Sequence, residues 1–268
     1  MTNKSQRLAF LLTLLILAIA RLNATQSNLH FVILGDSNTS IGGDLCSEPL
    51  GWTHWFVERI QPATCRSYAR SGATWTNTAT TKRNTQENIG RLGNDNVIFN
   101  QVCRLFEATD TGTQPQPDVI IVAAGTNDAW FQADRPHAFE LSPKQAFLAS
   151  ISHFLQRKPN TLLSLAESVR YSCELLMQRF PQARLILLTP MQTTQARFDD
   201  TEKVGTIIEQ CAHRMSIPVI RQDYLCGIYD LREASSPLRT YDGTHTCAEG
   251  AKRNGYFLAR QIEALLTQ

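Results

Sequence analysis

Three short runs limit the fold most. Leu29–Leu34, Val119–Ala124 and Leu185–Thr189 are nearly continuous apolar stretches rather than alternating ones. Strands of this kind are buried on both faces, as in a parallel sheet with helices on either side. Two further runs, roughly residues 63–68 and 217–220, read as strands as well. Helical spacing fills the intervals. Trp52, Trp55, Phe56 and Ile60 mark one helix, and Ile98, Val102 and Leu105 a second. Leu162, Ala166, Val169, Cys173 and Leu176 mark a third, and Val204, Ile208, Cys211 and Met215 a fourth. The last helix places Ala251, Gly255, Leu258, Ile262 and Leu265 on one face. Thr246 and Glu249 stand before it in the spacing of a capping box. The expectation is an α/β fold with a five-stranded, mostly parallel sheet covered on both sides. Ligands of such sheets bind at the carboxyl ends of the strands.

The chain has 268 residues, enough for one domain with a sizeable core. Residues 1–20 differ from the rest: Lys4 and Arg7 precede Leu8–Ala20, which is nearly all apolar. That run is too short to span a bilayer comfortably. With small residues at Ala18 and Ala20 it reads as a secretory signal peptide over 1–20, with Ala24 as a later cleavage site. An uncleaved N-terminal anchor is the alternative. The expected mature chain, 25–268, is one domain without a stable membrane span, secreted or periplasmic. Removing Lys4 and Arg7 leaves Lys+Arg equal to the 24 Asp+Glu, so no broad basic surface points to nucleic acid. Seven cysteines follow the leader, an odd number, and none forms a C-x-x-C pair, so neither a zinc nor a redox motif is indicated. Cys173 and Cys211 fall on apolar helix faces and read as buried thiols. A Cys226–Cys247 bridge is one way to brace the segment between them.

Three segments carry chemistry. Gly35-Asp36-Ser37 follows the first strand and offers a serine. Gly125-Thr126-Asn127-Asp128 follows the third and offers a side-chain amide. Asp242-Gly243-Thr244-His245 offers a carboxylate and an imidazole three residues apart. A serine is a weak nucleophile until a base takes its proton, and the base works best when a third group orients it. Of the six histidines, only His245 has a carboxylate so placed in a short, framed segment. An acyl-transfer site also needs donors for the developing oxyanion. The Asn127 amide, the Gly72 N–H and the Ser37 N–H are candidates. Alone, each motif reads as a turn or a cap. No G-x-S-x-G elbow is present.

Together these residues resemble the SGNH (GDSL-type) hydrolases, named for their Ser, Gly, Asn and His. Gly35–Thr39 matches the first block, with Asn38 where leucine is frequent. Ser67–Thr74 matches the second, with Ser67 where asparagine is common. Gly125–Asp128 matches the third in full. Asp242–His245 with Glu249-Gly250 matches the last, with Thr246 where proline is frequent. The resemblance covers about residues 29–265. It implies a three-layer α/β/α, flavodoxin-like fold. It implies Ser37 as nucleophile, His245 as general base and acid and Asp242 as its partner. Ser37, Gly72 and Asn127 would form the oxyanion hole, with no metal and no cofactor.

The sequence says less about the substrate. Two long connections, about 73–96 and 129–158, each begin just after a candidate site segment. Trp75 and Trp130 follow Gly72 and Asn127 by three residues, and read as candidate substrate contacts that stack on a sugar, with packing beneath the loops as the alternative. The expected substrate is a small acylated molecule, a saccharide ester, and the expected activity is removal of acetyl groups. The competing readings are a lipase or lysophospholipase, an O-acyltransferase, and a non-catalytic carbohydrate-binding protein. Neither acyl-chain length nor oligomeric state is legible.

Overall fold

The computed structural model describes residues 28–267. The expected leader and its cleavage sites lie outside them. Five strands form one sheet: β1 (His30–Gly35), β2 (Thr64–Ser67), β3 (Val119–Ala123), β4 (Arg184–Leu188) and β5 (Val219–Ile220). Their order is β2-β1-β3-β4-β5, and every pairing is parallel. All the strands therefore end along one edge. β1 and β3 run side by side from Phe31 opposite Val119 to Gly35 opposite Ala123, which aligns the turns that follow them.

The pleat sorts the apolar runs between two cores. Phe31, Ile33, Ile121, Ile186 and Leu188 pack with helices α1 (Trp52–Ile60) and α5 (Ala248–Leu266). Val32, Leu34, Ile120, Val122 and Leu187 face α2 (Ile98–Asp110), α3 (Leu165–Arg179) and α4 (Phe198–Arg214). Successive residues of one strand serve opposite layers, which is why the runs do not alternate with polar residues. The layering is α/β/α, as expected. Among the described residues no helix is long and apolar enough to cross a membrane.

α1 and α5 approach closely at Gly255. A methyl group there would overlap the Trp52 carbonyl oxygen and lie 2.6 Å from Trp55 Cβ. Gly255→Ala should therefore cost about 1–3 kcal/mol through overpacking. An unchanged urea midpoint would show that the two helices separate freely.

Two local expectations need correction. α5 begins at Ala248 with Cys247 as its N-cap and no side-chain capping bond. Thr246 Oγ1 donates instead to the Leu50 carbonyl at 3.1 Å, and Glu249 pairs with Arg239 at 3.0 Å, so the capping box does not form. Cys226 and Cys247 are both free. Cys226 packs with Met191 and Ile228, while Cys247 Sγ contacts the Leu238 carbonyl. Cys173 and Cys211 are buried, as read from the sequence. Two other thiols do approach: Cys46 and Cys65 lie 3.5 Å apart, Sγ to Sγ. Finally, the 129–158 connection contains the short helices Pro143–Ala146 and Ile151–Leu155, each capped by a serine, Ser142 and Ser150.

Candidate active site

Ser37 lies where β1 turns directly into a short helix, Ser37–Ser40. Asp36 caps that helix, its Oδ1 accepting from the Asn38 N–H at 3.1 Å. Gly35 leaves no room for a side chain, since a Cβ would lie 2.5 Å from the Ala123 carbonyl oxygen. Gln101, from α2, brackets the same residue. Its Oε1 accepts from the Gly35 N–H and its Nε2 donates to the Gly35 carbonyl, both at 2.8 Å. Both backbone groups are thus satisfied where the strand stops, and the serine is held in place.

His245 arrives from the far end of the chain on a narrow loop. Thr240 and Thr246 pair across its base, and the Tyr241 N–H donates to the His245 carbonyl at 3.0 Å. Asp242 Oδ1 accepts from the N–H groups of Thr244 (2.9 Å) and His245 (2.7 Å). Its Oδ2 meets His245 Nδ1 at 2.6 Å, and His245 Nε2 meets Ser37 Oγ at 2.9 Å. The carboxylate contact assigns the proton to Nδ1, leaving Nε2 to accept from the serine hydroxyl. Gly243 has φ +82°, and a side chain there would overlap Thr194, whose N–H donates to the Gly243 carbonyl at 2.9 Å. The loop is thereby tied to the segment after β4.

Two carboxyls of the site are pushed in opposite directions. Burial pushes Asp36 up to about 6, despite bonds from Thr126 and Asn38 and the neighbouring His245. Burial also acts on Asp242, but bonds from His245 and the Thr244 N–H outweigh it and hold this carboxyl below its usual range. Asp242 is thus the carboxyl set to remain an anion beside the imidazole.

Asn127 stands near the start of the short helix Thr126–Trp130, after Gly125 at φ +128°. Its Nδ2 donates to the Ala73 carbonyl at 2.9 Å. An amide nitrogen carries two N–H groups, so one orients the side chain and the other is left for a ligand oxygen. Gly72, with φ +79°, precedes the accepting residue. Asp128 fastens the two segments together, accepting from the Trp75 N–H (2.9 Å), the Thr76 N–H (2.9 Å) and Thr76 Oγ1 (2.6 Å). Arg135 reinforces the junction through Nε, 3.2 Å from the Thr76 carbonyl.

The two tryptophans part company. Trp75 is fully buried in the core and its indole N–H donates to the Ala124 carbonyl at 3.2 Å. It is a packing residue, which corrects its placement as a substrate contact. Trp130 is half-buried, with its ring stacked on Phe131 at 4.7 Å. A cavity of about 580 Å³ is lined by Phe180, Arg184, Met215 and Pro218 at the amino ends of β4 and β5, away from the strand ends that carry Ser37 and Asn127. Size alone does not locate the chemistry. Among the described residues no cluster of three or more His, Cys, Asp or Glu side chains is arranged to hold a metal.

Sequence reasoning missed several supporting residues, above all Glu233. This buried carboxylate accepts from the N–H groups of Leu238, Arg239 and Thr240 and from Thr240 Oγ1. Burial pushes its carboxyl up, but the Thr240 hydroxyl and the three N–H groups outweigh that and hold it below the usual range. An acid depressed by folding adds stability above its unfolded value, ~4.3, and that stability is lost as pH falls through the lowered folded value. Glu233→Gln should therefore lower the melting temperature at pH 7, with the gap to wild type closing below about pH 4. A gap of equal size at both pH values would mean the charge is not what holds the loop.

The sequence profile of the GDSL-like Lipase/Acylhydrolase family matches residues 33–253. No curated protein matches the chain in sequence. Solved structures share its fold at low identity. "A possible lipase" from Chitinophaga pinensis is 16% identical, with a TM-score of 0.56 over 90% of this chain and 100% of its own. The lipase/acylhydrolase from Enterococcus faecalis is 14% identical, with a TM-score of 0.50 over 88% and 96%. The acetyl xylan esterase AlAXEase is 15% identical, with a TM-score of 0.51 over 88% and 98%. The profile spans the segments that carry Ser37, Gly72, Asn127, Asp242 and His245, and on that match the chain belongs to the GDSL-like lipase/acylhydrolase family.

Proposed function

We propose that the protein is a serine esterase that cleaves carboxylic esters through an acyl-enzyme. The observation that carries this reading is the continuous hydrogen-bond chain from Ser37 through His245 to Asp242. In the proposed mechanism Ser37 Oγ attacks the ester carbonyl as His245 Nε2 takes its proton. The oxyanion is met by the free Asn127 amide N–H and by the N–H groups of Gly72 and Ser37. His245 then returns the proton to the departing alcohol, water repeats the sequence in reverse, and Asp242 stabilises the imidazolium at each stage.

For the substrate we propose a saccharide ester carrying a small acyl group, acetyl first of all. An acetyl xylan esterase shares the fold, and the exposed Tyr241 ring lies beside His245. The second reading is a lipase or lysophospholipase, favoured by the possible lipase and the lipase/acylhydrolase that share the fold. The same acyl-enzyme would serve an acyltransferase if an alcohol displaced water. We also propose export directed by residues 1–20, tested by the N-terminal residue of the mature chain, Arg21 or Thr25.

The deciding experiment compares p-nitrophenyl esters of rising chain length with acetylated xylo-oligosaccharides, using Ser37→Ala as control. The acetyl esters should give the highest kcat/KM. A maximum at long chains would move the protein to the lipase reading, and equal rates for wild type and Ser37→Ala would remove the serine mechanism altogether.

A further inference from the structure

The proposed mechanism divides the site into two sides. The carbonyl oxygen faces Asn127, Gly72 and Ser37. The departing alcohol must lie within hydrogen-bonding reach of His245 Nε2, because that nitrogen returns the proton. An exposed ring lying along the face of the imidazole is therefore placed to meet the leaving group.

Tyr241 supplies one. Its ring lies nearly parallel to the His245 imidazole, 17° between planes and 5.7 Å between centroids, an offset stack. It is 59% exposed, so it does little for the core. Yet its backbone is firmly fixed. The Tyr241 N–H bonds the His245 carbonyl, and the preceding Thr240 is tied to Thr246 and to Glu233. A large ring on a fixed backbone beside the proton donor presents a flat apolar face at little ordering cost.

We propose that Tyr241 is the platform for the leaving alcohol and selects ring-shaped alcohols, pyranose rings above all, over short linear ones. This rests on the esterase reading above. The sugar's C–H face would lie on the phenol ring while its ester oxygen points to His245 Nε2. The role needs the ring and not the hydroxyl.

The test holds the acyl group constant and varies the alcohol: an acetylated xylo-oligosaccharide, p-nitrophenyl acetate and ethyl acetate, with wild type, Tyr241→Ala and Tyr241→Phe. For Tyr241→Ala, the ratio of kcat/KM on the sugar acetate to that on ethyl acetate should fall about two- to twelvefold, the range for one aromatic stacking contact. Tyr241→Phe should keep the wild-type ratio. Hydrolysis of the shared acetyl-enzyme, followed after a burst of p-nitrophenol, should not track the alcohol, which has already left. An equal loss on all three esters would show that Tyr241 only supports His245 and would overturn the proposal. If wild type cleaves the simple acetates but no sugar acetate, the saccharide reading fails. The comparison of p-nitrophenyl with ethyl acetate then decides, and an unaltered ratio in Tyr241→Ala overturns the platform. If wild type cleaves no ester, both readings fall together.

Discussion

Replacing His245 with alanine should lower kcat by about 10⁴- to 10⁶-fold, as removing the base of a serine triad does elsewhere. The 2.9 Å contact to Ser37 Oγ is the proposed route for the proton, and the other five histidines have no such contact. The variant should still bind substrate, because the oxyanion donors and Tyr241 remain. A loss confined to KM would therefore assign the imidazole to binding. The wild-type pH profile adds a second check. Asp242 is held below the usual carboxylate range, so it stays ionised while activity falls on acidification. The acid limb should then contain no ionisation of Asp242. Its destabilising counterpart is Asp36, whose raised value means that the folded state holds its proton more tightly than the unfolded one. Its contribution to stability is present below its unfolded value, ~3.9, and is lost as pH rises through about 6. Acid loss of activity should thus precede acid unfolding, which is checked by following turnover and circular dichroism over one pH series.

Asn127→Ala should lower kcat by about 10²- to 10³-fold with little change in KM, the usual result of removing one oxyanion donor. The side chain is set for the task before substrate arrives, since one amide hydrogen is bound to the Ala73 carbonyl at 2.9 Å. Removing it also leaves that carbonyl without its donor, so some stability should be lost as well. A thermal melt of the variant separates the two effects. If kcat stays at the wild-type level while the melting temperature drops, Asn127 is a brace for the Gly72 turn and not an oxyanion donor.

The fold was legible because its signal is local. β1, β3 and β4 are short, apolar and flanked by polar turns, and their two-sided burial is written in the runs themselves. The segments holding Ser37, Asn127 and His245 were legible for the same reason, each being a few adjacent residues at a strand end or before a helix. What escaped depends on partners remote in the chain. Gln101 serves Gly35 across 66 positions, and Asp128 serves Trp75 across 53. The capping box failed because Thr246 found the Leu50 carbonyl, 196 positions away, a partner no local pattern can reveal. Trp75 was misread because spacing from Gly72 places a backbone near the crevice but leaves open which way the side chain turns. The Asp128 carboxylate fixes that backbone and the indole enters the core.

The carboxylates of Asp36 and Asp128 span different chain segments. Asp36 accepts from the N–H groups of both Asn38 and Thr126, and Asp128 from those of Trp75 and Thr76. The serine turn, the amide helix and the glycine turn are thereby fastened into one frame during folding. In the proposed mechanism an incoming ester would meet donors held in one frame beforehand, so that little reorganisation is left for the barrier to include. The frame also ties activity to the integrity of the sheet edge. Loosening either carboxylate would leave every reacting group in place chemically while letting the distances between them drift, and an enzyme of this kind would slow long before it unfolds.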